Sequence, residues 1–214
     1  APVIDSVSPN YGLISGGNSL VIDGSNFNDN TKVMIDGKDA TIIYFDDTTM
    51  VVTAPARTIP GKVDVKVEDE FGQSTTLEQG YTYMLPAPII DSVEPNKSKM
   101  SGGETITIKG SGFVKKADGG SWYEVYFGNI DGTEDDGEAY PTGRVVVSSV
   151  TVVDSETITV EIPAHALGLV DVSLGSEFSE TVTLSNALTY LPDQYVFIKD
   201  ADHKRLMLKA WLVA

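Results

Sequence analysis

The chain has 214 residues, with 15 basic and 31 acidic side chains, a formal charge of −16 and no cysteine. Such a charge repels phosphate backbones and anionic lipid, which argues against a nucleic-acid partner, and the missing thiols exclude disulfides and thiolate metal sites, so any core must hold by packing alone. No apolar stretch approaches the roughly 20 residues that a membrane-spanning helix needs, and the first residues, Ala1-Pro-Val-Ile-Asp5, lack the pattern of an export signal, so a soluble chain without membrane insertion is expected.

From the amino terminus, Pro2-Val-Ile-Asp-Ser-Val-Ser-Pro-Asn10 leads to Ser15-Gly-Gly17, an alternating run Ser19-Leu-Val-Ile22 and Gly24-Ser-Asn-Phe27. Further alternation follows in Lys32-Val-Met-Ile35 and Lys62-Val-Asp-Val-Lys-Val67, and Tyr81-Thr-Tyr83 and Leu85-Pro86 close the segment. Period two in short β-branched runs bounded by Gly, Pro, Asn and Asp predicts strands half-buried against a second sheet. The glycine pair suits a turn needing positive φ, and Gly24 a turn or close backbone approach.

The same landmarks then recur. Pro88-Ile-Ile-Asp-Ser-Val-Glu-Pro-Asn96 repeats the opening, followed by Ser101-Gly-Gly103 and Gly110-Ser-Gly-Phe113. After an insertion, Glu161-Ile-Pro-Ala164 matches Thr53-Ala-Pro-Ala56, Gly168-Leu-Val-Asp-Val172 matches Gly61-Lys-Val-Asp-Val65, and Leu188-Thr-Tyr190 precedes Leu191-Pro192. Blocks in one register mean an internal repeat. The expected organisation is residues 1–86, 87–192 and a distinct tail at 193–214, with a short proline-flanked joint at 84–87 that restricts bending.

This order of motifs, Pro-x-Ile-x-Ser-Val-x-Pro, Ser-Gly-Gly, Gly-Ser-x-Phe, Pro-Ala, Gly-x-Val-Asp-Val and a closing tyrosine, resembles the IPT/TIG family over nearly the whole chain. The resemblance implies an all-β protein of two tandem immunoglobulin-like β-sandwiches, with Phe27 and Phe113 as core plugs. Members of the family occur in plexin-like receptors, Rel-type transcription factors, starch-acting enzymes and bacterial or phage surface proteins, where the domain usually contacts or spaces while a neighbour does the chemistry.

Residues that carry chemistry are sparse. His165 and His203 are the two histidines, and neither shows nucleophile or metal-ligand spacing, so His165 reads as an ordinary loop residue and no catalytic residues are expected. Paired carboxylates such as Asp46-Asp47 and Asp135-Asp136 read as solvated loops. Asn26-Phe-Asn-Asp-Asn30 reads as an Asx-rich turn. No cofactor is expected, with one qualification: Asp131-Gly-Thr-Glu-Asp-Asp-Gly-Glu138 concentrates the carboxylates Asp131, Glu134, Asp135, Asp136 and Glu138, a weak calcium candidate beside the plainer reading of a solvated acidic loop.

Just upstream, alternation in Ser121-Trp-Tyr-Glu-Val-Tyr-Phe127 places Trp122, Glu124 and Tyr126 on one face and Tyr123, Val125 and Phe127 on the other. One set can fill the core while Trp122 and Tyr126, with Tyr140 beyond the acidic loop, remain to stack on a sugar, anchor a protein or merely cover an edge. In the tail, Tyr195-Val-Phe-Ile-Lys199 and Arg205 to Ala214 read as two strands around a turn, and four basic against three acidic side chains make it net positive. Its apolar positions, Tyr195, Phe197, Leu206, Leu208 and Trp211 among them, expect a cover, by the tail's own domain or by another subunit through strand addition, unless the tail is the remnant of a further domain.

The expected function is a non-enzymatic structural or interaction protein. Its leading form is an accessory or decoration subunit of a phage virion, attached to a protein lattice or to other subunits, including copies of itself, through the tail. The alternative is a cell-surface adhesion or carbohydrate-binding module of a secreted bacterial protein that takes a surface glycan. The location is correspondingly the virion or the cell surface.

Overall fold

The structure is a computed structural model that describes residues 1–129 and 139–193, together with the backbone of Tyr195–Lys199 and Arg205–Lys209. The chain divides into two compact units, Ala1–Pro86 and Ala87–Ala214. No helix occurs among the described residues.

In the first unit the alternating runs form β1 (Val3–Ser8), β2 (Tyr11–Leu13), β3 (Ser19–Ser25), β4 (Lys32–Ile35), β5 (Lys38–Asp39), β6 (Thr41–Phe45), β7 (Thr49–Thr53), β8 (Gly61–Glu68) and β9 (Ser74–Met84). They build two sheets, ordered β1-β3-β7-β6 and β2-β9-β8-β4-β5, with β2 parallel to β9. The inward set of each strand makes the core: Leu20, Ile22, Met50 and Val52 from one sheet meet Val33, Ile35, Val65, Val67, Tyr81 and Tyr83 from the other. Each such aliphatic side chain contributes about 1.5–3 kcal/mol by leaving water, which is how a sandwich without disulfides holds.

Two glycine positions show why the motifs have their form. Gly16 and Gly17 take φ of 70° and 81°, and Gly102 and Gly103 take 65° and 84°, so both copies turn through the left-handed region. A Cβ on Gly24 would lie 1.9 Å from the Val3 carbonyl oxygen, and one on Gly110 1.9 Å from that of Ile89. The first strand therefore crosses directly over glycine, and Phe27 and Phe113 plug the cores beside it, 2% and 3% exposed.

The second unit repeats the plan with β10 (Ile89–Glu94), β11 (Lys97–Lys99), β12 (Thr105–Ser111), β13 (Glu124–Phe127), β14 (Val145–Val147), β15 (Val150–Asp154), β16 (Thr157–Glu161), β17 (Gly168–Ser176) and β18 (Ser179–Leu191). The sheets run β10-β12-β16-β15 and β11-β18-β17-β13-β14. Ile106, Ile108, Ile158 and Val160 face Val125, Phe127, Val172, Leu174, Leu188 and Tyr190. These are two tandem immunoglobulin-like β-sandwiches. The tail contributes β19 (Tyr195–Lys199) and β20 (Arg205–Lys209), an antiparallel pair with Tyr195 opposite Lys209 and Lys199 opposite Arg205.

Candidate functional site

The outward face of the second unit's five-stranded sheet gathers the half-buried aromatics of this unit. Strand β13 sends Val125 and Phe127 into the core, with Tyr123 just ahead of it also buried, so Glu124 and Tyr126, and Trp122 before the strand, point the other way. Trp122 is half-buried. Its ring meets that of Phe178 edge-on at 6.4 Å, and the Lys116 ammonium lies 4.4 Å from the indole centroid, a cation–π contact. Phe178 is held by the β17–β18 turn, where its N–H donates to Ser176 Oγ at 3.1 Å.

Along the same strand the Tyr126 hydroxyl donates to Glu124 Oε2 at 3.1 Å, Ser148 Oγ donates to Glu124 Oε1 at 3.0 Å, and the Arg144 guanidinium lies 5.4 Å from the Tyr126 ring. Burial first, and then the Glu124 carboxylate, push the Tyr126 hydroxyl above its ordinary pKa, partly opposed by Arg144. Register places Tyr126 between Val146 on β14 and Ser173 on β17. Ser173 and Thr183 share a 2.8 Å hydroxyl hydrogen bond across to β18. The face is thus a row of rings beside a carboxylate, a guanidinium and hydroxyls.

Tyr140 does not join this row. It is exposed where the chain returns from the insertion, and its hydroxyl donates to Asp193 Oδ2 at 3.3 Å, while Asp193 Oδ1 accepts from the Ser101 N–H. The acidic cluster Asp131, Glu134, Asp135, Asp136 and Glu138 lies outside the described residues, and so does Trp211. Among the described residues no group of three or more His, Asp or Glu converges as a metal site. Tyr195, Phe197, Leu206 and Leu208 are on β19 and β20.

His165 has a role that the spacing does not reveal. Only 4% exposed, it stacks on Tyr190 at 5.0 Å, with Nδ1 3.0 Å from the Ala166 carbonyl oxygen and Nε2 3.1 Å from that of Gly143. Both ring nitrogens face backbone carbonyls, which is a structural clamp on the returning insertion and not the geometry of a nucleophile's base. A cleft of about 320 Å³ opens beside it among Asn129, Thr142, Leu167 and Asp171. In the first copy the matching position is Arg57, which bonds Asp36 Oδ2 at 2.7 Å and lies 5.8 Å from the Tyr83 ring. Aligning Pro55-Ala56-Arg57 with Pro163-Ala164-His165 was the signal available in the sequence.

The IPT/TIG domain profile matches residues 2–83 and again residues 88–190. The chain belongs to the IPT/TIG family. Among solved structures, this IPT/TIG chain is similar to the surface glycan-binding protein PbSGBP-B from Prevotella bryantii, with a TM-score of 0.55 and 16% identity over 94% of this chain and 45% of that one. Looser likenesses join it to SGBP-B from a complex xyloglucan utilization locus in Bacteroides uniformis (TM-score 0.35, 19% identity, 94% of this chain and 52% of that one) and to the plexin A4 extracellular region (0.38, 19%, 92% and 16%). At these identities the likeness is one of fold. The IPT/TIG chain spans less than half the length of PbSGBP-B.

Proposed function

We propose that this IPT/TIG chain is a non-catalytic contact module of an extracellular surface protein and that the β13–β14 face of its second unit binds carbohydrate. The observation that carries the reading is the row of rings on that face: Trp122 against Phe178, then Tyr126 flanked by Glu124 and Arg144. Sugars present apolar C–H faces and a rim of hydroxyls. Half-exposed aromatic rings with adjacent carboxylate and guanidinium groups complement both. The fold similarity to a surface glycan-binding protein makes glycan the ligand class to test first. The virion expectation draws no support from the three structures named above.

A broad polysaccharide and oligosaccharide array probed with the full chain tests this. Saturable binding that falls at least about tenfold in Trp122→Ala and in Phe178→Ala, with melting transitions retained, supports the reading, because aromatic anchors dominate such contacts. Binding indifferent to both substitutions, or no binding to any glycan, contradicts it.

A further inference from the structure

The two copies treat their sheet edges differently. Strand β6 is the last strand of its sheet, and its sequence Thr41-Ile-Ile-Tyr-Phe45 is uncharged. A register irregularity between Ile42 and Tyr44 helps leave three consecutive apolar side chains outside, Ile43 at 61%, Tyr44 at 54% and Phe45 at 38% exposure. The equivalent edge of the second unit, β15, buries Val150 and Val152 and ends in the carboxylate of Asp154. An edge strand of that unit's other sheet, β11, carries Lys97 and Lys99. Charges and tucked side chains are how sheets avoid pairing with other chains. Strands β15 and β11 each show such a device, whereas β6 offers an apolar edge flanked by carboxylates.

A candidate occupant is on the same chain. Strand β20 has the sequence Arg205-Leu-Met-Leu-Lys209, as long as β6 and basic at both ends. The β6 edge is acidic at both ends, with Asp39 before it and Asp46-Asp47 after it, all exposed, while nearby Lys38 donates to the Ala56 carbonyl of its own unit. Paired in either direction, β20 brings a cation to each acidic end. Two copies of β6 would instead set carboxylate against carboxylate. Among the described residues the β19–β20 sheet has two strands, and a hairpin of two is marginal in water until a third strand joins it. We propose that the tail hairpin of one copy adds β20 to the β6 edge of a second copy, giving a head-to-tail association between two different surfaces of the chain.

Sedimentation velocity and native mass spectrometry of the full chain over a concentration series test the proposal. The acceptor variant is Ile43→Lys with Tyr44→Lys, which alters only exposed positions, and the donor variant is Leu206→Asp with Leu208→Asp. The expected result is concentration-dependent association of the unmodified chain, weakened at least about tenfold by either variant. Mixed together, the two variants should form a one-to-one complex that grows no further, since one retains only the donor strand and the other only the acceptor edge. A chain that stays monomeric throughout, an association that survives either variant, or variants that fail to combine would each overturn the proposal.

Discussion

The closing tyrosines carry more of each sandwich than their motif suggests. The Tyr83 hydroxyl donates to the Pro55 carbonyl at 2.7 Å and Tyr190 to the Pro163 carbonyl at 2.9 Å, so the last long strand is tied to the Pro-Ala loop in both copies. Removing either bond with Tyr83→Phe or Tyr190→Phe should cost about 1 kcal/mol in denaturant unfolding. Tyr81 is the contrast: its buried hydroxyl has no partner among the described residues, so Tyr81→Phe should leave stability unchanged or raise it by up to about 1 kcal/mol. Burial pushes the Tyr83 hydroxyl up to about 12 and raises Tyr190 as well. Because the folded value lies above the ordinary 10, the stability contribution is intact below pH 10 and is lost as pH rises from 10 towards 12. An alkaline titration of unfolding should show this loss, on the order of 2 kcal/mol for Tyr83, and Tyr83→Phe should reduce it, leaving the part carried by the other buried tyrosines such as Tyr81 and Tyr190. The closing tyrosines were visible in the sequence, but the bond each makes was not, because its acceptor is a backbone carbonyl that leaves no mark in residue types. His165 shows the same blindness, since its partners are carbonyls and a ring brought close only by folding.

Among the elements, the strands with strict alternation were readable: Tyr123, Val125 and Phe127 are buried and Trp122, Glu124 and Tyr126 are not, as period two requires. The crossing of the first strand over Gly24 or Gly110 yields the strongest prediction at this scale. Gly24→Ala or Gly110→Ala must push the strand away from a carbonyl oxygen, and each should destabilise its own unit by about 2 kcal/mol or more, read as a lowered melting transition. Edges were not readable. The sequence of β6 resembles any buried strand, and only the register irregularity after Ile42 and its terminal place in the sheet turn Ile43 and Tyr44 outward. Tyr140 was grouped with Trp122 by nearness in sequence, but it binds Asp193 at the point where the insertion returns, so the aromatic row draws instead on Phe178 from the β17–β18 turn. That partner had a sequence signal, Glu177-Phe178 matching Glu70-Phe71 at the same hairpin turn of the first copy.

For the whole molecule, the repeat told the architecture and the breaks in the repeat told where to look. Copies of a chain of net charge −16 repel one another at long range by more than the net-positive tail attracts, and salt screens that repulsion, so any self-association should strengthen as ionic strength rises. The proposed function rests on one face of the second unit. Hydrogen exchange of the full chain with and without the best-binding oligosaccharide from the array measures that face most directly. The account predicts slowed exchange over residues 121–127, 145–148 and 176–179, lost in Trp122→Ala. Protection confined to other strands, or to the first unit, would contradict it.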